Sequence, residues 1–264
     1  MLISIIIPTL NRAGKVLRAI DSVLNQSYKK IELIVIDDGS TDDTAYWLTK
    51  IKDPRFKFYT KENQGVAASR NFGVSKASAD WICFLDSDDV WHRHKLSLQL
   101  KYHQQHENIL VSQTDDIWIR NSVKVNKMQK HQTREGQIFE QSLKLCLICS
   151  SSIMLKKQLF LKVGGFDESM PCCEDYDLAL RLTAKYELGL IHKKLVSKFG
   201  GHTDQLSKKY PMMDKYRVFA LKKLLGANEL NPKQIELTQQ ELNIKNKIIA
   251  NGAKKRNHET STKP

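Results

Sequence analysis

The sequence lacks the hallmarks of several large protein classes. Its longest apolar runs, such as residues 3–7, fall far short of the roughly 20 residues that a membrane-spanning helix needs. No charged start and cleavage site of a signal peptide precede that first run, so we expect a cytoplasmic protein. Residues 8–14 contain a single glycine, Gly14, which argues against the glycine-rich phosphate loops of dinucleotide-dependent oxidoreductases and nucleotidyltransferases.

Cysteine is sparse and odd in number. Five cysteines in a long chain argue against a disulfide framework. Cys146 and Cys149 form a lone CxxC pair, but no second pair completes a zinc site. We therefore interpret these cysteines as buried free thiols. The adjacent Cys172 and Cys173 lie beside a group of carboxylates, and we expect them to form part of the wall of a cleft.

Acidic residues are in the minority. The chain of 264 residues has 42 Lys and Arg against 29 Asp and Glu, a formal net charge of +13. Residues 206–264 alone hold 13 basic and 5 acidic side chains, which gives +8. A basic surface of this kind can attract anions, including nucleic acid and anionic lipid. It can also be the solvated face of a helical tail, and we favour this interpretation. Aromatic residues make up 8% and form no base-stacking module in this segment, so no nucleic-acid partner is expected.

What the sequence does contain is a regular alternation of two patterns. Hydrophobic residues (41%) suffice for a sizeable core. In the first half, short apolar runs typical of strands alternate with segments of helical spacing; the runs are residues 3–7, 31–36, 56–59 and 81–85, and the helical segments 15–25, 42–51 and 65–77. This order predicts an α/β fold with a mostly parallel sheet that is covered on both faces.

The alternation weakens beyond residue 106. Further strands are predicted around 117–119, 153–155 and 188–196, and further helices at 156–163 and 175–186. From residue 210 onward we predict a polar helical extension that ends in a low-order tail at 251–264.

Polar clusters follow three of the predicted strands directly. They are residues 8–12, residues 37–40 and residues 86–89. Ligands of open α/β sheets bind at the carboxyl ends of the strands. One such cluster could cap a helix, but three on the same rim of the sheet are better explained by a shared ligand site.

Two groups of carboxylates could carry chemistry. Asp86 and Asp88 are two residues apart, so in an extended chain they point the same way, and their oxygens suit Mg²⁺ or Mn²⁺ bridged to phosphate. A capping turn would have the same residues. The second group, residues 174–177, precedes an amphipathic helix. It could stabilise the helix N-terminus or supply a general base, and the sequence leaves both alternatives open.

Six segments in this order resemble the family 2 glycosyltransferases, which have the GT-A fold, a Rossmann-like sandwich. The segments are residues 5–12, 37–42, 63–71, 84–89, 164–168 and 174–181, and the resemblance spans about residues 3–205. It implies a nucleotide-sugar-binding half at 1–108 and an acceptor-binding and catalytic-base half at 109–205, followed by the basic helical extension at 206–264.

The resemblance also implies roles for individual residues. Asp175 would be the catalytic base, with Glu174 shaping the acceptor side. Asp88 would bind Mg²⁺ or Mn²⁺, together with Asp86 and His202. The nucleotide-sugar donor would be bound by Pro8, Thr9, Arg12, Asp37, Asp38, Gly65, Arg70, Asp86 and Ser87. The implied reaction is an inverting transfer from a nucleotide-diphosphate sugar, with UDP favoured over dTDP and GDP, to a glycan, glycolipid or other hydroxyl acceptor, as in bacterial cell-surface polysaccharide or glycolipid assembly.

Other interpretations remain open at this stage. Residues 82–90 resemble the first motif of haloacid-dehalogenase phosphatases, in which Asp86 would be the nucleophile, although three strand units precede it. The chain could also be a non-catalytic nucleotide- or anion-binding protein. The acceptor surface should come from residues 110–175. Residues 233–249 could form an amphipathic helix that packs on the catalytic domain or attaches peripherally to the inner face of the cytoplasmic membrane.

Overall fold

A computed structural model describes residues 1–201, 209, 210 and 212–261, with side chains described to residue 252. Its first half alternates as expected. The elements are β1 (Ile3–Thr9), α1 (Ala13–Leu24), β2 (Ile31–Asp37), α2 (Thr44–Thr49), β3 (Phe56–Thr60), α3 (Val66–Lys76) and β4 (Trp81–Phe84). These strands lie in the order β3-β2-β1-β4 and all pair in parallel. The strands β1, β2 and β4 are buried along their whole length, which explains their continuous apolar sequence.

The second half completes the sheet with mixed pairing. Its elements are β5 (Val90–Trp91), α4 (Lys95–Gln105), β6 (Val111–Arg120), β7 (Val123–Val125), α5 (Phe139–Lys144), β8 (Met154–Lys156), α6 (Lys157–Lys162), α7 (Glu174–Thr183) and β9 (Gly189–Gly200). Strand β8 is antiparallel to both β4 and β6, whereas β6 and β9 pair in parallel. The α/β fold with a mostly parallel sheet is confirmed.

Strand β6 is longer than the sequence pattern predicts. It begins at Val111 rather than near residue 117, because its first half consists of buried polar side chains that break the apolar pattern. Ser112 shows how they are satisfied: its hydroxyl contacts the amide nitrogen of Gln99 at 3.2 Å and Nε2 of His103 at 2.8 Å. A hydrogen-bonded polar strand of this kind has no hydrophobic signature.

The C-terminal extension is helical and packs on the domain. It comprises α8 (Asp214–Gly226) and α9 (Pro232–Ser261). Leu221 and Leu242 join a buried cluster with Leu143 of α5 and Tyr176 of α7. The backbone of α9 is helical to Ser261, and the low-order tail expected at 251–264 stays a prediction. Within the described part of the chain, no helix has the length and apolar character to cross a membrane.

Candidate active site

The carboxyl ends of β1 and β2 form the first part of the site. Oδ1 of Asp37 accepts hydrogen bonds from the backbone N–H and the hydroxyl of Ser40, at 3.0 and 2.5 Å. Its second oxygen and the hydroxyl of Thr9 are buried without a hydrogen-bond partner among the described residues. Thr9 and Asp37 are paired across the two strands. Since orphaned buried polar atoms are costly, this edge is suited to receive a polar ligand or water.

Asp38 fixes the loop that leads into α3. Its carboxylate accepts hydrogen bonds from the ammonium of Lys61 at 2.5 Å and from the backbone N–H groups of Gln64 and Gly65 at 3.1 and 2.8 Å. Gly65 has φ of +93°, a conformation that favours glycine, which explains the residue type at this position. Asp38 is therefore engaged with the protein itself, and its contact with a base or ribose stays a prediction.

The acidic turn of residues 86–89 follows β4. Ser151 holds this turn: its hydroxyl accepts the backbone N–H of Asp86 at 3.1 Å and donates to Asp89 at 2.6 Å. The backbone N–H of Phe199 in β9 donates to the other oxygen of Asp89 at 3.0 Å. Burial, together with the negative charges of Asp86 and Asp88, raises the pKa of Asp89 to about 8. The turn is thus joined to β9 by a side chain that the motif did not single out.

Arginines contact both predicted metal ligands. Arg12 is ion-paired with Asp88, and Arg18 donates to the backbone carbonyl of Asp88 at 3.0 Å. Asp86 accepts a hydrogen bond from Arg70 at 2.7 Å. Burial alone would raise the pKa of Asp86, but the positive charge and hydrogen bond of Arg70 hold it below its usual value. Asp86 therefore stays ionised, as a metal ligand must.

Arg70 connects the acidic turn to the second group of carboxylates. Its side chain is 4% exposed, and its other terminal nitrogen donates to Glu174 at 2.6 Å. Burial opposes the charge of Arg70, but the two carboxylates outweigh it and raise its pKa. Burial also raises the pKa of Glu174, and Arg70 only partly offsets this. One buried guanidinium thus holds Asp86 and the start of α7 together, and its contact with Glu174 spans 104 residues of sequence.

The two carboxylate groups share one cavity of about 270 Å³. Asp86, Glu174 and the partly exposed Asp175 line it together. Oδ1 of Asp175 accepts the N–H of Tyr176 at 2.7 Å, which orients the carboxylate at the N-terminus of α7. Ahead of it, Cys173 has φ of +62°, a left-handed conformation that is uncommon outside glycine and often found at functional sites.

Residues of β6 and β9 also line the cavity. Trp118 pairs with Lys198 across these parallel strands, and Asp116 lies two residues earlier on the same face. The indole N–H of Trp118 donates to Asp116 at 3.3 Å, and its ring lies 5.2 Å from that of His131. Trp118 and His131, which belong to the stretch 110–175 expected to form the acceptor surface, line the cavity. Sequence reasoning missed Lys198, because β9 holds three lysines and no motif distinguishes this one.

The predicted residues thus fall into two groups. Arg70, Asp86, Glu174 and Asp175 line the cavity. The others lie at the ends of β1 and β2, in the loops that follow β1, β2 and β3, and in the acidic turn: Pro8, Thr9, Arg12, Asp37, Asp38, Gly65, Ser87 and Asp88. His202 lies outside the described residues.

The cysteines are free thiols, as predicted. Cys83, Cys172 and Cys173 are buried, whereas Cys146 and Cys149 are half-buried. All except Cys83 line the cavity, which confirms Cys172 and Cys173 as wall residues. Burial raises the pKa of Cys146 well above its usual value, and nearby Asp175 adds to this. Such thiols are neutral and poor nucleophiles at neutral pH.

The acidic turn fits a divalent cation of the Mg²⁺ type. The described residues include no group of three or more metal-ligating side chains. Mg²⁺ nevertheless commonly binds proteins through one or two carboxylates, with substrate phosphates and water completing its shell. Asp86 and Asp88 supply such a pair, and a cation there would share Asp88 with Arg12 or displace it.

Comparisons with solved structures identify the fold. The fold is that of the GT-A glycosyltransferases. S. aureus TarS 1-349 in complex with UDP-GlcNAc superposes with a TM-score of 0.75 at 18% identity, over 92% of this chain and 70% of TarS 1-349. The mannosyltransferase PcManGT from Pyrobaculum calidifontis, in complex with GDP-Man and Mn²⁺, gives 0.66 at 16% identity, over 95% and 79%. Both likenesses concern the fold.

Sequence comparison gives the family. The model of "Glycosyl transferase family 2" matches residues 4–164, and the chain belongs to this family. An uncharacterized glycosyltransferase of Rickettsia conorii is 37% identical over 195 residues, which are 73% of this chain and 32% of that protein. The Escherichia coli UDP-Glc:alpha-D-GlcNAc-diphosphoundecaprenol beta-1,3-glucosyltransferase WfgD is 31% identical over 72% of this chain and 73% of its own length. The chain therefore spans about a third of the Rickettsia relative and most of WfgD.

Proposed function

We propose that this chain is an inverting, metal-dependent glycosyltransferase that moves a sugar from a UDP-sugar to a hydroxyl group of a glycan or glycolipid. The observation that carries the proposal is the shared cavity, in which Arg70 holds Asp86 against the helix that bears Asp175. A site for the diphosphate and a candidate base thus lie at one cavity. The family, the UDP-GlcNAc complex of TarS and the UDP-glucose donor in the name of WfgD support a UDP-sugar.

The reaction is a single displacement at the anomeric carbon. Asp175 takes the proton of the acceptor hydroxyl while that oxygen forms the new bond to the anomeric carbon. The bond from this carbon to the diphosphate breaks on the opposite face, and its electron pair leaves with the nucleoside diphosphate. The configuration at the anomeric carbon is therefore inverted. Glu174 is buried against Arg70, so we assign it the positioning of α7 rather than proton transfer.

The leaving diphosphate needs positive charge. A divalent cation, when bound, would neutralise this charge. Asp86 and Asp88 would hold the cation, with His202 as a further ligand. Arg12 lies beside Asp88 and would face the same phosphates. The unpartnered oxygens of Thr9 and Asp37 make the adjacent strand ends the place for the nucleoside, and we assign this pocket to the edge formed by Pro8, Thr9, Asp37, Asp38 and Gly65.

The proposed acceptor rests on the name of WfgD, and the proposed location of the protein rests on the surface of α9. The name of WfgD describes an acceptor sugar on a diphosphoundecaprenol lipid, and we propose a related role in cell-surface polysaccharide or glycolipid assembly. Ile235, Ile244 and Ile248 of α9 are about half exposed on a basic helix. We propose peripheral contact of α9 with the anionic inner face of the membrane.

The alternatives have less support. A haloacid-dehalogenase phosphatase would need Asp86 free to attack a phosphate, whereas here it is held by Arg70, and the family match begins at the first strand. A non-catalytic binding protein would not require Asp175 to face the cavity that Asp86 lines.

A screen of slow sugar-donor hydrolysis tests the function. The chain is incubated with UDP-glucose, UDP-GlcNAc, UDP-galactose, GDP-mannose and dTDP-glucose, and release of the nucleoside diphosphate is measured with Mn²⁺ or with excess chelator. We expect metal-dependent release from a UDP-sugar. Full activity in chelator would reject the metal assignment, and absence of release from every sugar donor would reject the transferase. Asp88→Asn should lose the metal-dependent activity, whereas Asp80→Asn, at an exposed carboxylate before β4, should retain it.

A further inference from the structure

Lys198 projects into the cavity from a position that no motif marks. It lies near the end of β9, paired with Trp118 of β6. Its side chain lines the cavity that Glu174 and Asp175 also line. The next residue, Phe199, is bonded through its backbone to Asp89 of the acidic turn. The lysine therefore lies beside the turn that carries the candidate metal ligands.

Carboxylates surround Lys198, but each is already paired elsewhere. Asp89 accepts bonds from Ser151 and the backbone N–H of Phe199, and Asp86 accepts one from Arg70. Asp116 is ion-paired with Lys127 and accepts a bond from Trp118. Within the ranges that the structure describes, the ammonium of Lys198 forms no hydrogen bond or ion pair. The nearby Cys149, when ionised, and the three carboxylates raise the pKa of Lys198 well above its usual value, so the side chain is a cation.

The other cations of the cavity differ from Lys198 in this respect. Arg70 is bound to Asp86 and Glu174, and Lys127 is bound to Asp115 and Asp116. Lys198 alone among these three keeps the N–H donors of its ammonium for a ligand that enters the cavity. The ligand group that such a cation binds best is an anionic oxygen. In the proposed reaction, the anionic group that binds next to Asp86 is the diphosphate of the sugar donor.

We propose that Lys198 binds a phosphate oxygen of the sugar donor's diphosphate, on the cavity side of the acidic turn. The inference rests on the proposed function, since it assigns a residue to the leaving group of that reaction. Lys198 stabilises the charge that develops as the sugar departs, and it does so from the strand β9 rather than from the acidic turn. The interaction is a contact with substrate, not a support for the fold.

Binding of two nucleotides separates this role from a structural one. The affinities of UDP and UMP are measured by calorimetry with Mn²⁺ for the 264-residue wild-type chain and for Lys198→Met, which keeps most of the side-chain stem. Loss of one charge-assisted hydrogen bond should weaken UDP binding about 10- to 100-fold, whereas UMP binding should change about twofold at most. Lys198→Arg should restore most of the UDP affinity.

A matched control lies in the same strand. Lys194 is exposed on β9 and does not line this cavity, so Lys194→Met should leave both affinities unchanged. Equal weakening of UDP and UMP in Lys198→Met, or no weakening, would overturn the proposal. If Lys198→Met does not fold, an unchanged ratio of UDP to UMP affinity in Lys198→Glu overturns it equally. If the wild-type chain binds none of UDP, GDP and dTDP, the result rejects the proposed function itself. Failure of the Lys198 assignment alone would show as normal UDP binding by the wild type without the expected loss in Lys198→Met.

Discussion

Replacing Arg70 by methionine should destabilise the fold and abolish activity together. The variant keeps the apolar stem but leaves Asp86 and Glu174 without their shared cation. Glu174 is 7% exposed, so its negative charge would be buried without compensation. Breaking a buried ion pair on one side costs about 3–5 kcal/mol. Because the pKa of Glu174 is already raised, part of this cost is relieved by protonation, and we expect a loss of about 2–4 kcal/mol.

Urea unfolding at pH 7 measures this loss, and Arg55 provides the control. Arg55 forms an ion pair with Asp53 at 2.6 Å, but both side chains are about a quarter exposed. Arg55→Met should therefore cost less than about 1 kcal/mol. If Arg70→Met also costs less than about 1 kcal/mol, the guanidinium does not hold the two groups together and the reasoning is refuted.

A double variant separates stability from positioning. Arg70→Met with Glu174→Gln removes the uncompensated charge, so it should regain at least about 1 kcal/mol of stability relative to Arg70→Met. Hydrolysis of the sugar donor should stay low, because Asp86 and α7 remain unlinked. Recovery of both stability and activity would show that Arg70 only neutralises charge.

Further predictions concern the acceptor, pH and the membrane. Trp118→Ala should raise the KM for octyl glycosides as acceptors while hydrolysis of the sugar donor is unchanged, whereas the exposed Trp47→Ala should change neither. Burial lowers the pKa of His103 to about 4, below its value of about 6.5 in the unfolded chain. The buried neutral ring therefore contributes stability that is complete above about pH 6.5 and is lost as the pH falls toward 4. The excess stability of the wild type over His103→Gln, measured by urea unfolding, should therefore decrease across this range, and a constant difference would contradict the shift. In flotation with anionic vesicles, Ile244→Glu with Ile248→Glu should lower binding, and equal flotation would reject contact through α9.

The fold was largely predictable because its first half follows simple periodicity. The apolar runs of β1, β2 and β4 are buried on both faces, so they read as continuous hydrophobic segments. Strand β6 was recognised only in its second half, because Gln113 and its neighbours are polar and buried.

The site was predictable in its motifs but not in its connections. The positions of Asp86 and Asp175 at the ends of elements follow from sequence. The contact of Arg70 with Glu174 spans 104 residues, and no local pattern encodes it. The same holds for Ser151, which binds the acidic turn, and for Lys198, which reaches the cavity only because β9 pairs with β6.

Hydrolysis of a UDP-sugar by Asp175→Asn tests the central claim most directly. The change keeps the shape of the side chain but removes the base, and in this reaction water takes the place of the acceptor hydroxyl. We predict that calorimetric binding of UDP with Mn²⁺ is retained, while the hydrolysis rate falls about 10²- to 10⁴-fold relative to the wild type. Near-normal turnover in Asp175→Asn, with UDP binding intact, would contradict the account.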